Sequence, residues 1–110
     1  MDSKNIHIAC CHMKGKIEWE KAKGNEWSFV GEGSDFDEIA VGEFIGSFFG
    51  DPEIYFVIDR HNSFSIQKEN APVLVKESLK DQIITLCDHS FSKMIEFHYI
   101  GVAKHGAVSS

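Results

Sequence analysis

Five consecutive apolar residues, Ile54-Tyr55-Phe56-Val57-Ile58, constrain this chain more than any other stretch. They follow a clear stop at Gly50-Asp51-Pro52 and end in the polar turn Asp59-Arg60-His61-Asn62-Ser63. A strand with no polar alternation has both faces covered, so Ile54 to Ile58 is expected to be central in a sheet. Phe64-Ser65-Ile66-Gln67-Lys68 alternates after the turn, and the two runs read as a hairpin. Upstream, Val41, Phe44, Ile45 and Phe48 fall at i, i+3, i+4 and i+7, a helical stripe able to cover that strand. Ser34 or Asp35 is placed to cap this helix, and Asp35 with Glu38 has capping-box spacing. Gly42 and Gly46, one turn apart, would let another element come close.

The rest of the chain is less determined. Ile6, Ala9, Cys10, Met13 and Ile17 fit one helical face, but Ile6-Ile8-Cys10 and Ile17-Trp19 also alternate around Lys14-Gly15-Lys16. The longer match favours a helix in the first half. Trp27-Ser28-Phe29-Val30 reads as a short strand, and Gly31-Glu32-Gly33 as a turn. Val73 to Val75 fits a short extended piece or a first helical turn. Ser78 with Asp81 opens a helix carrying Leu79, Ile83 and Leu86 to about Asp88. Met94 to Ile100 alternates as a strand, which Gly101 to Lys104 extend, and the tail from Gly106 is expected to fray. These elements predict one α+β domain over residues 1–110, an antiparallel-rich sheet with two or three helices packed on one face.

Charge is distributed unevenly. Residues 24–59 hold nine acids and no Lys or Arg, leaving eight acids against eleven bases elsewhere in a chain of formal net charge −6. Such a pattern disfavours nucleic acid, whose phosphates call for a basic face, and suits a basic protein partner. A solvated acidic surface is the alternative. Glu32, Asp35, Asp37, Glu38, Glu43, Asp51, Glu53, Asp59 and His61 are the candidate partner-binding residues.

Chemical sites are thin. Asp59 with His61, and Glu96 with His98, are the pairs able to do acid–base work in a small enzyme or ligand-binding domain. The bland readings are a backbone-bonded turn and a polar strand face. Cys10-Cys11-His12 with His7 has poor metal spacing, so buried inert thiols are expected, with no metal and no cofactor. Three cysteines, no secretory signal pattern and no membrane-length apolar run point to a reducing cytoplasm.

Trp27-Ser28-Phe29-Val30-Gly31, Ser34-Asp35-Phe36-Asp37 and the Phe56-to-Phe64 hairpin give residues 24–66 a family likeness. The chain resembles bacterial immunity proteins of toxin–immunity systems, including those paired with contact-dependent inhibition toxins. The resemblance implies a non-enzymatic protein that binds a cognate toxin domain, often a nuclease with a basic cleft. A homo-oligomeric subunit joined through Gly42 and Gly46 is a further alternative.

Overall fold

The computed structural model describes residues 2–21, 28–31 and 33–108. Among these, the fold is α+β, with three helices and a seven-stranded antiparallel sheet. The strands are β1 (Ile17–Trp19), β2 (Ser28–Phe29), β3 (Glu53–Asp59), β4 (Asn62–Gln67), β5 (Ile84–Cys87), β6 (Lys93–His98) and β7 (Val102–Val108). Their order is β1-β7-β6-β5-β3-β4, with β2 also paired to β7. Ile17 to Trp19 face Val108 to Gly106, and Ser28 and Phe29 face Ala103 and Val102. One edge of the sheet is therefore a strand in two pieces, both running along β7.

Helices α1 (Ser3–Lys14), α2 (Glu38–Phe48) and α3 (Ala71–Ser78) cover both faces of the sheet. On one face α2 packs with α3. Val41, Ile45 and Phe49 meet Ala71, Val75 and Leu79 over Ile54, Phe56, Ile84, Leu86, Ile95 and Phe97. Gly42 serves this packing: a Cβ there would lie 3.3 Å from the Pro72 ring of α3. The close approach offered by that glycine is thus used within the chain. On the other face, α1 lays Ile6, Cys10 and Met13 against Val57, Cys87 and Met94. Asp2 caps α1 by accepting from the Asn5 N–H at 2.9 Å, and Gly15 follows its last turn. No helix among the described residues is long and apolar enough to cross a membrane.

Two expected elements change identity. Residues 84–87 form a strand, where helical spacing predicted a helix running to Asp88. All four are buried between β3 and β6, and chain packing on both faces overrides the Leu79–Ile83–Leu86 spacing. The helix lies earlier, at Ala71–Ser78, started by Pro72 in its first turn, where a missing N–H costs nothing. Gly101 does not extend β6. Its φ of +99° turns the chain, so residues 102–108 return alongside β6, and the supposed tail at Gly106 is a buried strand residue paired with Trp19 of β1. Ser109 and Ser110 lie outside the described residues.

Candidate functional site

The start of α2 is fixed by a knot of backbone bonds. Gly101 offers its carbonyl to the N–H groups of Val30 and Gly31, at 2.8 and 3.0 Å, and Asp37 N–H donates to Val30 at 3.0 Å. Gly31 takes φ +85°, and a Cβ there would sit 2.2 Å from the Asp35 carbonyl oxygen, so only glycine fits. The residue that caps α2 is Asp37, whose carboxylate accepts from Ala40 N–H at 3.1 Å. Ser34 and Asp35 instead belong to a preceding 3-10 turn at residues 33–35, so the expected capping box is not formed.

Between this end of α2 and the β2–β7 edge lies an open hollow of about 210 Å³. Val41 and Phe44 wall it from the helix, and Ile95, Phe97 and Ala103 from the sheet. The hollow exists because small side chains meet there: Ala40 on α2, Ser28 on β2 and Ala103 on β7. Two phenyl rings that border it stand in water, Phe29 at 80% exposure and Phe44 at 38%. Ile39, 77% exposed, shares the crest of α2 with Glu43 one turn on. His105 closes one side, with its ring edge-on to Phe44 at 4.7 Å and Phe48 at 5.3 Å. Burial among these rings holds the imidazole pKa below its ordinary value, and Glu20 partly offsets this.

The candidate acids do not form one cluster. Asp35, Asp37 and Glu38 gather at the start of α2, and Glu43 follows on its outer surface. Asp51 and Glu53 stand at the other end of the helix. Glu53 and Asp59 lie at opposite ends of β3, separated by about 20 Å at strand rise. Glu32 lies outside the described residues. The block lacking Lys and Arg also receives cations from elsewhere. Lys68 Nζ donates to the Gly46 and Phe49 carbonyls at 3.1 and 2.7 Å, and Lys93 Nζ to Phe48 at 3.0 Å. Lysine at this end of a helix suits the negative pole of its dipole. Lys76 also lies 3.9 Å from Glu38, beside a second, open depression of mixed charge between α2 and α3.

The two acid–base pairs are accounted for by structure. Asp59 is a turn residue: its Oδ1 accepts from the His61 and Asn62 N–H groups at 2.9 and 2.8 Å. The His61 bond above all holds its carboxyl below the usual range, while slight desolvation opposes and Asn62 assists. His61 is exposed on the same turn. Glu96 is 7% exposed beneath α1, 3.6 Å from Lys14 and 3.8 Å from Lys104. The expected polar outer face is thus an interior one, because α1 covers it. Its Oε2 has no hydrogen-bond partner among the described residues. His98 accepts from the Ile100 N–H at 3.3 Å through Nδ1. Neither pair lines either cleft.

Of the thiols, Cys10 and Cys87 are buried as expected, whereas Cys11 is exposed with its Sγ 3.6 Å from His7 Nε2. A hydrogen bond to Cys10, together with burial, pushes the Cys87 thiol pKa up, so it keeps its proton. No group of three or more His, Cys, Asp and Glu among the described residues is placed to hold a metal ion. The signal hidden in the sequence is apolar: Phe29 reads as part of a strand and Phe44 as part of a core stripe, and nothing local marks them as exposed. Comparison with protein-family models, curated proteins and solved structures finds no match for this chain.

Proposed function

We propose that this chain is a non-enzymatic binding protein of the immunity type, which neutralises a basic toxin domain by docking it at the start of α2. The observation that carries this reading is the exposure of Phe29 and Phe44 at the hollow that Asp37 also lines, with Ile39 and Glu43 exposed on the solvent crest of the same helix. Large apolar side chains held in water beside a polar rim are the anatomy of a protein interface, where aromatic anchors dominate the energy. The acids add long-range attraction for a basic partner, raising the encounter rate more than the final affinity. The engaged state of Asp59 supports binding over catalysis, since its carboxylate already accepts the His61 and Asn62 N–H groups of its own turn.

The test is co-expression with the product of the adjoining gene, scored by growth, followed by stopped-flow association of the purified pair. Protection is expected, with an association rate that falls steeply between about 0.05 and 0.5 M salt as screening shortens to a few ångströms. Absence of protection, or association indifferent to salt, overturns the reading.

A further inference from the structure

The hollow beside α2 has a size and chemistry that say more about the partner. We infer that it is a socket for one aromatic side chain of that protein, entering beside a cation that meets Asp37. This rests on the reading of the chain as a binder of a basic protein.

The first argument is volume. An apolar cavity of about 150 Å³ is enough to take up benzene, whereas sites for cofactors and drug-sized ligands run from about 300 to 1,000 Å³. At about 210 Å³, this hollow fits a single ring and little else. The second argument is its wall. Val41, Phe44, Ile95, Phe97 and Ala103 make the wall mostly apolar and set two aromatic rings in it, and Lys104, which also lines it, turns its ammonium away to Glu96 and the Trp19 ring. The third is its rim. Phe29 and Phe44 continue the apolar surface outward beyond the hollow, a ledge that a protein can cover and that a lone small molecule would leave in water. Asp37 lies at the lining, and one of its oxygens accepts the Ala40 N–H, so the carboxylate is held in place by the helix it caps. An oriented carboxylate next to an apolar pocket selects an aromatic residue flanked by Lys or Arg.

The probes are indole and an acetylated Arg-Trp-Arg amide, each titrated into the whole chain and followed by amide NMR shifts. Both are expected to move the Val41, Ala103 and His105 amides, with the peptide binding roughly tenfold tighter at low salt, and that advantage vanishing near 0.5 M. Asp37→Ser keeps a capping oxygen while removing the charge, so it should reduce the peptide to the affinity of indole. Ala103→Leu fills the hollow from the sheet and should abolish both sets of shifts. Ala40→Leu plugs it from the solvent side of the helix and makes the same test should Ala103→Leu fail to fold. Indifference of those amides to both probes overturns the socket, as does unchanged binding by a plugged variant. Equal affinity of indole and peptide at every salt concentration overturns the protein occupant and assigns the hollow to a free aromatic compound. Salt-dependent protection by a chain whose hollow ignores both probes would remove the socket alone. Loss of protection with the socket intact would remove the immunity reading instead.

Discussion

Glu96 offers a direct contest between distance and burial. Its carboxylate has two lysine partners: Lys14 at 3.6 Å with 40% of its side chain exposed, and Lys104 at 3.8 Å with 16% exposed. Coulomb energy varies as 1/r, so the shorter distance favours Lys14 by only about 5%. The dielectric matters far more. An attraction of about 1 kcal/mol at 4 Å in water becomes about 4 kcal/mol at an effective dielectric of 20. Lys14 sits on the exposed last turn of α1 and can swing into solvent, so its pair should be worth under about 1 kcal/mol. Lys104 is held over the Trp19 ring at 4.2 Å and has less freedom to relax. Breaking a fully buried pair costs about 3–5 kcal/mol, and the partial exposure of Lys104 brings the expected value near 2.

Glu96→Gln should therefore lower stability by about 2–3 kcal/mol, shifting Tm by about 10 °C for a domain of this size. The assay is a pair of double-mutant cycles read by urea unfolding. Glu96→Gln with Lys104→Met should show a coupling of about 2 kcal/mol, and Glu96→Gln with Lys14→Met less than about 1. A Lys14 coupling equal to or larger than that of Lys104 would refute the reasoning, because proximity would then have outweighed desolvation.

Three further outcomes follow from the fold. Burial of Asp88 works to raise its pKa. Bonds from the Ser92 hydroxyl and from the Lys93 and Ser92 N–H groups, with a further one from Ser90, outweigh it and leave the value lowered. A depressed carboxyl contributes stability above its unfolded pKa near 4 and loses it as pH falls through the folded value. Asp88→Asn should cost about 1–2 kcal/mol at pH 7 and almost nothing near pH 2 in urea titrations. Gly106→Ala would place a Cβ 2.2 Å from the Glu18 carbonyl oxygen and 2.8 Å from Ile17, so β1 must part from β7. A loss of about 2–3 kcal/mol is expected, with faster amide exchange at Glu20, which bonds the His105 carbonyl. His105 has the opposite linkage to a paired histidine. Its folded pKa is depressed, first by burial, so stability falls as pH drops through about 6.5 and levels off below the folded pKa. His105→Phe should remove that slope in thermal melts between pH 5 and 7.

What the sequence disclosed, and what it hid, divides along physical lines. The β3–β4 hairpin and α2 were legible because local signals agree: an unbroken apolar run, a polar turn, a stripe at helical period and a stop at Gly50-Asp51-Pro52. β5 was illegible because Ile84 to Cys87 is buried on both faces, and such a run has no period to betray it. Leu79, Ile83 and Leu86 then mimic a helix although they belong to the end of α3, a connection and a strand. The cap moves to Asp37, two residues beyond Asp35, because a 3-10 turn intervenes and the bonds that fix Asp37 run through Val30 to Gly101, distant in sequence. The hollow could not be read at all. It depends on Ala40, Ser28 and Ala103 meeting across three elements, and small residues carry no local mark of the void between them.

The distribution of acids in space, more than their number, decides what a partner would feel. Two lysines neutralise the carbonyl end of α2, through Lys68 and Lys93, so Asp51 stands beside compensating charge. At the other end, Lys76 and Lys80 share a depression with Asp35 and Glu38, whereas Asp37 faces solvent on the hollow side, where the positive pole of the helix dipole offsets only about half a charge. α2 is about 16 Å long, some two screening lengths at physiological ionic strength. A steering field centred on the start of α2 therefore barely reaches Asp51 but includes Glu43, little more than one turn away from Glu38. Glu43→Lys and Asp51→Lys alter net charge equally, and both positions are exposed. If overall charge governed capture of a basic toxin domain, the two variants would slow association alike. Local steering predicts several-fold slower association for Glu43→Lys and a near-normal rate for Asp51→Lys in stopped-flow at low salt. Equal rates would place the recognition surface elsewhere than the start of α2.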